Sequence, residues 1–376
     1  MRIHFFVRTL NDKTGGGSHY NSIAYMRALR EAGHIVVVHV LYEGSGNSFP
    51  HDIQPIVHQG LRRSFLNERR YLSNLLKEYE DESDIFFLYA VEFTWGGGLY
   101  RRTGGKKPVV VYMDAYLASM RVTNAPTWKM KWYQWKRLPW DKIVGCVDAA
   151  FIDQFLPCSP YIGAFYQQFG FPKDRFTLVP NIVPPPFVPA SSEKGIQNEI
   201  CVIYVGRLIY DKGIDLLIDA LQSLREFSWK LSIVGDGDMR DFVERRIREQ
   251  NLPITLHGWV PQKEVGRFYA EADIFVHPAR WPDPAPRTIV DALYCGLPVI
   301  VPDTGGSSWI AGEAGLVFKT GDLVTLTEKM RTVLANTDAR RALTAHSNAQ
   351  TKKFEQATVG AHLENILQTT IENARV

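Results

Sequence analysis

Short runs of consecutive apolar, β-branched or aromatic residues alternate along the chain with longer amphipathic stretches. Alternation of this kind predicts α/β architecture built on parallel sheets. In the first half, strands are predicted at Ile3–Arg8, Ile35–Leu41, Ile53–His58, Asp84–Ala90, Pro108–Asp114 and Phe176–Pro180. Several are apolar almost throughout, as in strands covered on both faces. Helices are predicted between them, among others Ser18–Ala32, with Ile23, Met26 and Leu29 on its apolar side, and Phe65–Tyr79. Residues 181–198, NIVPPPFVPASSEKGIQN, hold four prolines and no periodicity, a composition suited to an extended linker.

Beyond that break the pattern restarts. Strands are predicted at Glu199–Val205, Lys230–Val234, Ile254–Gly258, Asp273–His277, Pro298–Pro302 and Gly315–Lys319. Helices Ile214–Arg225, Met239–Gln250, Lys263–Ala272 and Arg287–Tyr294 lie among them, with more helix towards the end of the chain. Two doubly wound domains follow, 1–185 and 186–360, with a hinge near residue 185 and a last helix, 361–376, that can return to the first domain. In such sheets ligands sit beyond the carboxyl ends of the strands, where strand order reverses. Two of them facing each other across a cleft would hold a ligand between them, so residues just after strands are the candidates for chemistry.

Composition narrows the class. With 45% hydrophobic and 22% charged residues among 376, the chain has material for two cores and is not disordered, collagenous or coiled-coil. No apolar run approaches the ~20 residues of a membrane-spanning helix. The opening MRIHFFVRTLNDK lacks the apolar core and cleavage site of a secretory signal and reads as a first strand. Cys146, Cys158, Cys201 and Cys295 are scattered without metal spacing, which fits buried thiols in a reducing, cytoplasmic setting. The net charge of +3 hides an asymmetry. Residues 1–187 carry 22 Lys and Arg against 16 Asp and Glu, and the remainder 21 against 24. An anionic partner or surface for the first half is one reading, and ordinary scatter is the other.

Three stretches carry candidate chemistry. Gly15-Gly16-Gly17-Ser18 follows the first strand and opens the first helix. Glycines allow close backbone approach and a helix N-terminus favours anions, but a plain connecting loop capped by Ser18 fits as well. Its spacing is not that of a dinucleotide-binding loop. In YVGRLIYDKGID, residues 204–215, Gly206, Arg207 and Lys212 fall between a strand and a helix. Two cations there suit a departing diphosphate, whose developing charge must be neutralised. In WPDPAPRTIVDALYCGLPVIVPDTGG, residues 281–306, Asp283 stands in a Pro-rich loop and Asp291 eight positions on, inside a helix. Carboxylates accept two hydroxyls at once, so such a pair can hold a sugar and a ribose.

These stretches, in this order, resemble retaining glycosyltransferases of family 4, which have the GT-B fold of two facing Rossmann-like domains. The resemblance runs along nearly the whole chain. It includes Val179-Pro180-Asn181, Val234-Gly235-Asp236-Gly237, and Gly315-Leu316-Val317 leading to Gly321-Asp322. It implies that Arg207 and Lys212 bind the donor diphosphate, that Asp283 touches the donor sugar and that Asp291 takes the ribose. Ala285, Pro286, Arg287 and Thr288 would lie by sugar and phosphate, with Gly206 and Gly235 at the donor site. His257, Gly258 and Trp259 would border the base, and the Gly15–Gly17 loop would border donor and acceptor. In the family the acidic pair is usually glutamate; here both are aspartate, Pro286 replaces a glycine, and Trp309 stands where a glutamate is common. The first domain often supplies a histidine after its fifth strand. Here Asp114 is the candidate for orienting acceptor or sugar, or else a helix cap.

The implied function is transfer of a hexose from a nucleoside diphosphate sugar, UDP- or GDP-linked, to a saccharide acceptor, lipid-linked in one version, in glycan biosynthesis. Retention of configuration, no metal or other cofactor, and no nucleic-acid partner complete the expectation. A nucleotide-sugar 2-epimerase of the same fold and a non-catalytic binding subunit are the alternatives. Separately, TWKMKWYQWKRLPW, residues 127–140, holds four tryptophans and four cations. On a helix Trp128, Trp132 and Trp135 share one face, flanked by Lys129, Lys131 and Lys136. Such a face suits peripheral contact with an anionic membrane, or packs inward with its lysines reaching out.

Overall fold

The computed structural model describes residues 1–12, 17–42, 47–59, 65–117, 128–186 and 199–375. The chain forms two compact units, one of Met1–Ile182 with Glu355–Val376 and the other of Val183–Phe354. The expected divisions were 185/186 and 360/361; most of the proline-rich stretch, residues 187–198, lies outside the described residues.

Unit 1 holds β1 (Arg2–Val7), β2 (Ile35–Val40), β3 (Ile56–Val57), β4 (Ile85–Tyr89), β5 (Val109–Met113) and β6 (Gln154–Pro157). They pair in the order β3-β2-β1-β4-β5-β6, all parallel. Every residue of β4 and β5 is buried, which explains their unbroken apolar sequences. Phe5 and Phe87 stack across neighbouring strands with centroids 4.6 Å apart. The last helix, Gln356–Arg375, belongs to this unit: His362 bonds the carbonyl of Leu178 at 3.0 Å and Glu364 meets His34 at 3.3 Å.

Unit 2 holds β7 (Ile200–Val205), β8 (Trp229–Val234), β9 (Ile254–Gly258), β10 (Ile274–Val276), β11 (Val299–Pro302) and β12 (Gly315–Phe318). Their order, β12-β11-β10-β7-β8-β9, repeats that of unit 1. In both sheets the first three strands wind one way and the fourth crosses to the other side of the first, the doubly wound, Rossmann-like arrangement. One layer of unit 2's core packs Leu217, Leu221, Ile233 and Met330, and the opposite layer Tyr269, Phe275, Ile289 and Val301.

Two predicted strands need correction. Ile53–His58 shrinks to the two residues of β3. Phe176–Pro180 is not a strand; the sixth strand of the first sheet is β6, and Phe176 only bridges to it at Phe155. The segment still runs beside β6, with the amides of Thr177 and Val179 bonding to Phe155 and Pro157 at 3.0 Å each. Pro180 ends any further ladder because it has no N–H. The helix after β6, Pro160–Phe169, is capped by the Ser159 hydroxyl, starts with proline and ends at Gly170 with φ 114°.

Candidate active site

In unit 2 the order reverses between β7 and β10, and the loops leaving these two strands carry the candidate chemistry. After β7 the chain passes through Gly206 and Arg207, then a single turn at Tyr210–Lys212, before helix Ile214–Gln222. Gly213 takes φ 71°, and a Cβ there would meet the carbonyl oxygen of Pro278 at 2.0 Å. Only glycine lets the two loops approach so closely.

The loop after β10 is tied to the same turn. Arg280 donates two bonds to the Asp215 carboxylate, at 2.7 and 2.8 Å, and its guanidinium lies 4.4 Å from the centre of the Tyr210 ring. The amides of Arg280 and Trp281 both donate to the Asp211 carbonyl. The loop after β11 closes the frame, with the Gly306 amide donating to the Asp283 carbonyl at 2.8 Å. Three loops from adjacent strands are thus held to one another by backbone bonds.

Inside this frame the Lys212 ammonium donates to Asp283 Oδ2 at 2.5 Å. Burial pushes the Asp283 carboxyl up, but the charge and hydrogen bond of Lys212 pull it down and the net shift is down. His277, at the end of β10, is 4% exposed and its Nε2 has no hydrogen-bond partner among the described residues. Burial and the Lys212 charge hold this imidazole neutral, with a pKa lowered to about 3. Arg207 is exposed, and its side chain makes no hydrogen bond or ion pair among the described residues; its backbone carbonyl accepts from Tyr204 at 2.8 Å.

Asp291 lies in the first turns of helix Arg287–Tyr294, 2% exposed. Its Oδ2 is 3.5 Å from both Arg287 Nε and Gln262 Nε2, and its Oδ1 has no partner among the described residues. Burial raises its pKa to about 6 against the pull of Arg287. A buried carboxylate oxygen without a partner is costly, so a ligand hydroxyl there would relieve it. Ala285, Pro286, Arg287 and Thr288 form the turn and helix start between the two carboxylates.

The other side of β7 is equally tight. Gly235 has φ 144°, and a Cβ there would meet the Gly206 oxygen at 1.9 Å. Gly258 adopts φ 72° at the end of β9, His257 bonds Ser232 at 3.0 Å, and Trp259 is largely exposed. The structure therefore places Gly206, Arg207, Lys212, Gly235, Gly258, Asp283 and Asp291 along one sheet edge.

In unit 1, Asp114 follows β5. Ser18 donates a short hydrogen bond to its Oδ2, and burial raises its pKa to about 6. Beside it Asn21 Nδ2 donates to Tyr89 at 2.8 Å and to Asn181 Oδ1 at 2.9 Å. Gly17 begins the first helix, while Gly15 and Gly16 lie outside the described residues. Sequence reasoning passed over Arg280, Asp215 and Asn21. The close spacing of Arg280 to the acidic pair was a usable signal; Asn21, inside a helix, gave none.

Two family models match the chain. The model described as Glycosyltransferase Family 4 matches residues 15–186, and that described as Glycosyl transferases group 1 matches residues 190–350. The chain belongs to glycosyltransferase family 4. Its two Rossmann-like units are those of the GT-B fold. A sulfoquinovosyl transferase of Arabidopsis thaliana is 26% identical to this family 4 chain over 176 residues, 46% of the chain and 34% of that protein. A putative teichuronic acid biosynthesis glycosyltransferase of Bacillus subtilis is 35% identical over 111 residues, 30% of the chain and 26% of that protein. The chain thus spans about a third or less of the length of these two curated relatives. Among solved structures, sucrose-phosphate synthase from Thermosynechococcus elongatus superposes with TM-score 0.77 at 16% identity, covering 99% of each chain. HepE of Anabaena in complex with UDP gives 0.73 at 16% identity, covering 98% of this chain and all of the other. Likeness at such identity carries the fold.

Proposed function

We propose that the protein is a retaining glycosyltransferase that moves a hexose from a nucleoside diphosphate sugar to a saccharide hydroxyl in glycan biosynthesis. The observation that carries this reading is the Lys212–Asp283 pair together with the unpaired oxygen of buried Asp291, eight residues further along the segment that follows β10, at the strand-order reversal of unit 2. Family membership supports it, as do solved relatives whose structures hold UDP, or UDP and glucose.

Each residue has a task in this reading. Asp291 accepts the ribose hydroxyls. His257, Gly258 and Trp259 border the base. The amides of Ala285, Arg287 and Thr288 face the sugar and phosphate; Pro286 contributes no N–H. Lys212 and exposed Arg207 hold the diphosphate and the charge it gains on leaving. Asp283 accepts from a donor-sugar hydroxyl. Asp114, in unit 1, orients the acceptor or sugar, and the loop of Gly15, Gly16 and Gly17 borders donor and acceptor. The bond from C1 to the phosphate oxygen breaks as the bond to the acceptor oxygen forms on the same face. The acceptor proton passes to the departing phosphate oxygen, so no metal or other cofactor enters. The acceptor is lipid-linked where the enzyme works at the cytoplasmic face of a membrane, to which it is peripherally attached.

A thermal-shift screen over UDP, GDP, ADP and their sugars tests donor binding, because a ligand of the native state raises its melting temperature. Turnover of the donor so found, with wild type and Lys212→Ala, tests the chemistry. Near-normal turnover by the variant would defeat the assignment, and nucleotide binding without any turnover would mark a binding subunit instead.

A further inference from the structure

Helix Trp128–Ala149 has one committed face and one uncommitted face. On the committed side Asp141, Gly145 and Asp148 are buried. The Asp148 carboxylate takes two bonds from Arg69, at 2.6 and 2.9 Å. A Cβ on Gly145 would come within 2.6 Å of the Trp95 ring, and one on Gly98 within 2.1 Å of the Asp148 carbonyl oxygen. This packing fixes how the helix is rotated about its own axis.

The opposite side is apolar and bare. Trp132, Trp135, Trp140, Ile143 and Val147 are 53%, 74%, 55%, 69% and 44% exposed. At 3.6 residues per turn they fall within an arc of about 140°. The stripe thus runs past the Trp-rich segment read from the sequence and continues two turns further. Of that segment, Trp132, Trp135, Lys131 and Lys136 are exposed rather than packed inward; the side chains of Trp128 and Lys129 lie outside the described residues.

Charge follows the same division. Exposed Lys131, Lys136 and Lys142 lie in or beside the stripe, and Lys136 sits 3.9 Å over the Trp132 ring. The helix's two acidic residues, Asp141 and Asp148, are both on the buried side, with Arg137 and Arg69 as their partners. Among the described residues the charges in and beside this stripe of tryptophan and aliphatic residues are lysines, which matches an anionic headgroup layer, where the indoles sit at the interface and lysine meets lipid phosphate. A second copy of the chain fits less well, since a two-fold contact would set these lysines against each other. Among the described residues no helix is long and apolar enough to cross a membrane.

We propose that this face seats the protein on the surface of an anionic lipid bilayer, with the helix lying in the plane of the headgroups. The test is co-sedimentation of the full chain with phosphatidylglycerol-rich vesicles and with pure phosphatidylcholine vesicles. Wild type is expected to pellet with the first and stay largely in solution with the second. The double variant I143S/V147S, which leaves every tryptophan in place, is expected to bind the anionic vesicles about tenfold more weakly. K131E/K136E/K142E is expected to lose the preference for anionic lipid. Nucleotide-induced thermal shifts should be unchanged in both variants, since none of these residues is assigned to the donor site. Wild type remaining in solution with anionic vesicles overturns the proposal, as does equal pelleting of I143S/V147S. So does a dimer in sedimentation velocity that I143S/V147S dissolves.

Discussion

The ammonium of Lys212 and the carboxylate of Asp283 neutralise each other at 2.5 Å, in loops that leave different strands of one sheet. A diphosphate arriving there competes with Asp283 for the same cation. Lys212→Ala is therefore expected to weaken nucleoside diphosphate binding and to cut turnover ~10²–10³-fold, the scale of one lost transition-state donor. Asp283→Asn should keep or tighten diphosphate binding while slowing turnover. Calorimetric titration with the nucleotide and steady-state donor consumption separate the two effects.

Asp291 gives a pH signature. Burial raises its carboxyl pKa to about 6, so in the proposed role it would accept ribose hydroxyls fully only above that pH. Affinity for the parent nucleoside, which carries no phosphate to titrate, is expected to fall as pH drops from 7 to 5. Asp291→Asn should bind more weakly at pH 7 and show a flatter profile. Titration of both proteins across that range is the check.

Arg280 holds the β10 loop onto the β7 turn through Asp215. Arg280→Ala leaves a largely buried carboxylate without its two-bond partner and is expected to destabilise unit 2 by about 2 kcal/mol. Urea denaturation of the variant measures it. Nucleotide affinity should fall as well, because Lys212 and Asp283 lose their common frame.

Gly213→Ala meets two obstacles, a left-handed backbone at φ 71° and the Pro278 carbonyl 2.0 Å from the new carbon. The loops must part. A loss above ~1 kcal/mol is expected, together with weaker nucleotide binding, and thermal melts with and without nucleotide would show both.

Unit 1 contains a chain of imidazoles: His4 Nδ1 lies 3.0 Å from His39 Nε2, and His39 Nδ1 lies 3.0 Å from His58 Nε2. Burial lowers His4 to about 4, and burial, with the His4 and His58 rings on either side, lowers His39 to about 2, from an ordinary 6.5. Below pH 6.5 the unfolded chain binds protons that the folded unit refuses, so stability falls with pH. Asp114, raised from 3.8 to about 6, acts in the opposite sense between those values, and the two imidazoles outweigh it. Hydrogen exchange of β1 and β2 amides, corrected for intrinsic rate, should show less protection at pH 5 than at pH 7. The difference should shrink in His39→Phe.

What sequence could and could not convey follows from the physics of each element. β4 and β5 were readable because strands buried on both faces are apolar at every position. β6, QFLP, is short and runs into a Cys-Ser-Pro cap, while FTLVP downstream has the better β composition; pairing with β5 decided between them. The cations and carboxylates of the candidate site were readable because their spacing places them in the segments that follow strands. The straps that hold them, Arg280 to Asp215 and Gly306 to Asp283, join residues 65 and 23 positions apart and leave no local pattern. The direction of the Trp stripe was undecidable from periodicity. It was settled by Gly145 and Asp148, which claim the other side of the helix.

Unit 1 is built from two separated pieces of chain, and the whole of unit 2 lies between them. The amide of Val183 donates to the carbonyl of Phe354 at 2.9 Å, so the points of departure and return are bonded together. During translation, the residues of unit 2 leave the ribosome before helix Gln356–Arg375 exists to cover Ala28. The first unit must therefore wait, partly uncovered, while the second is made.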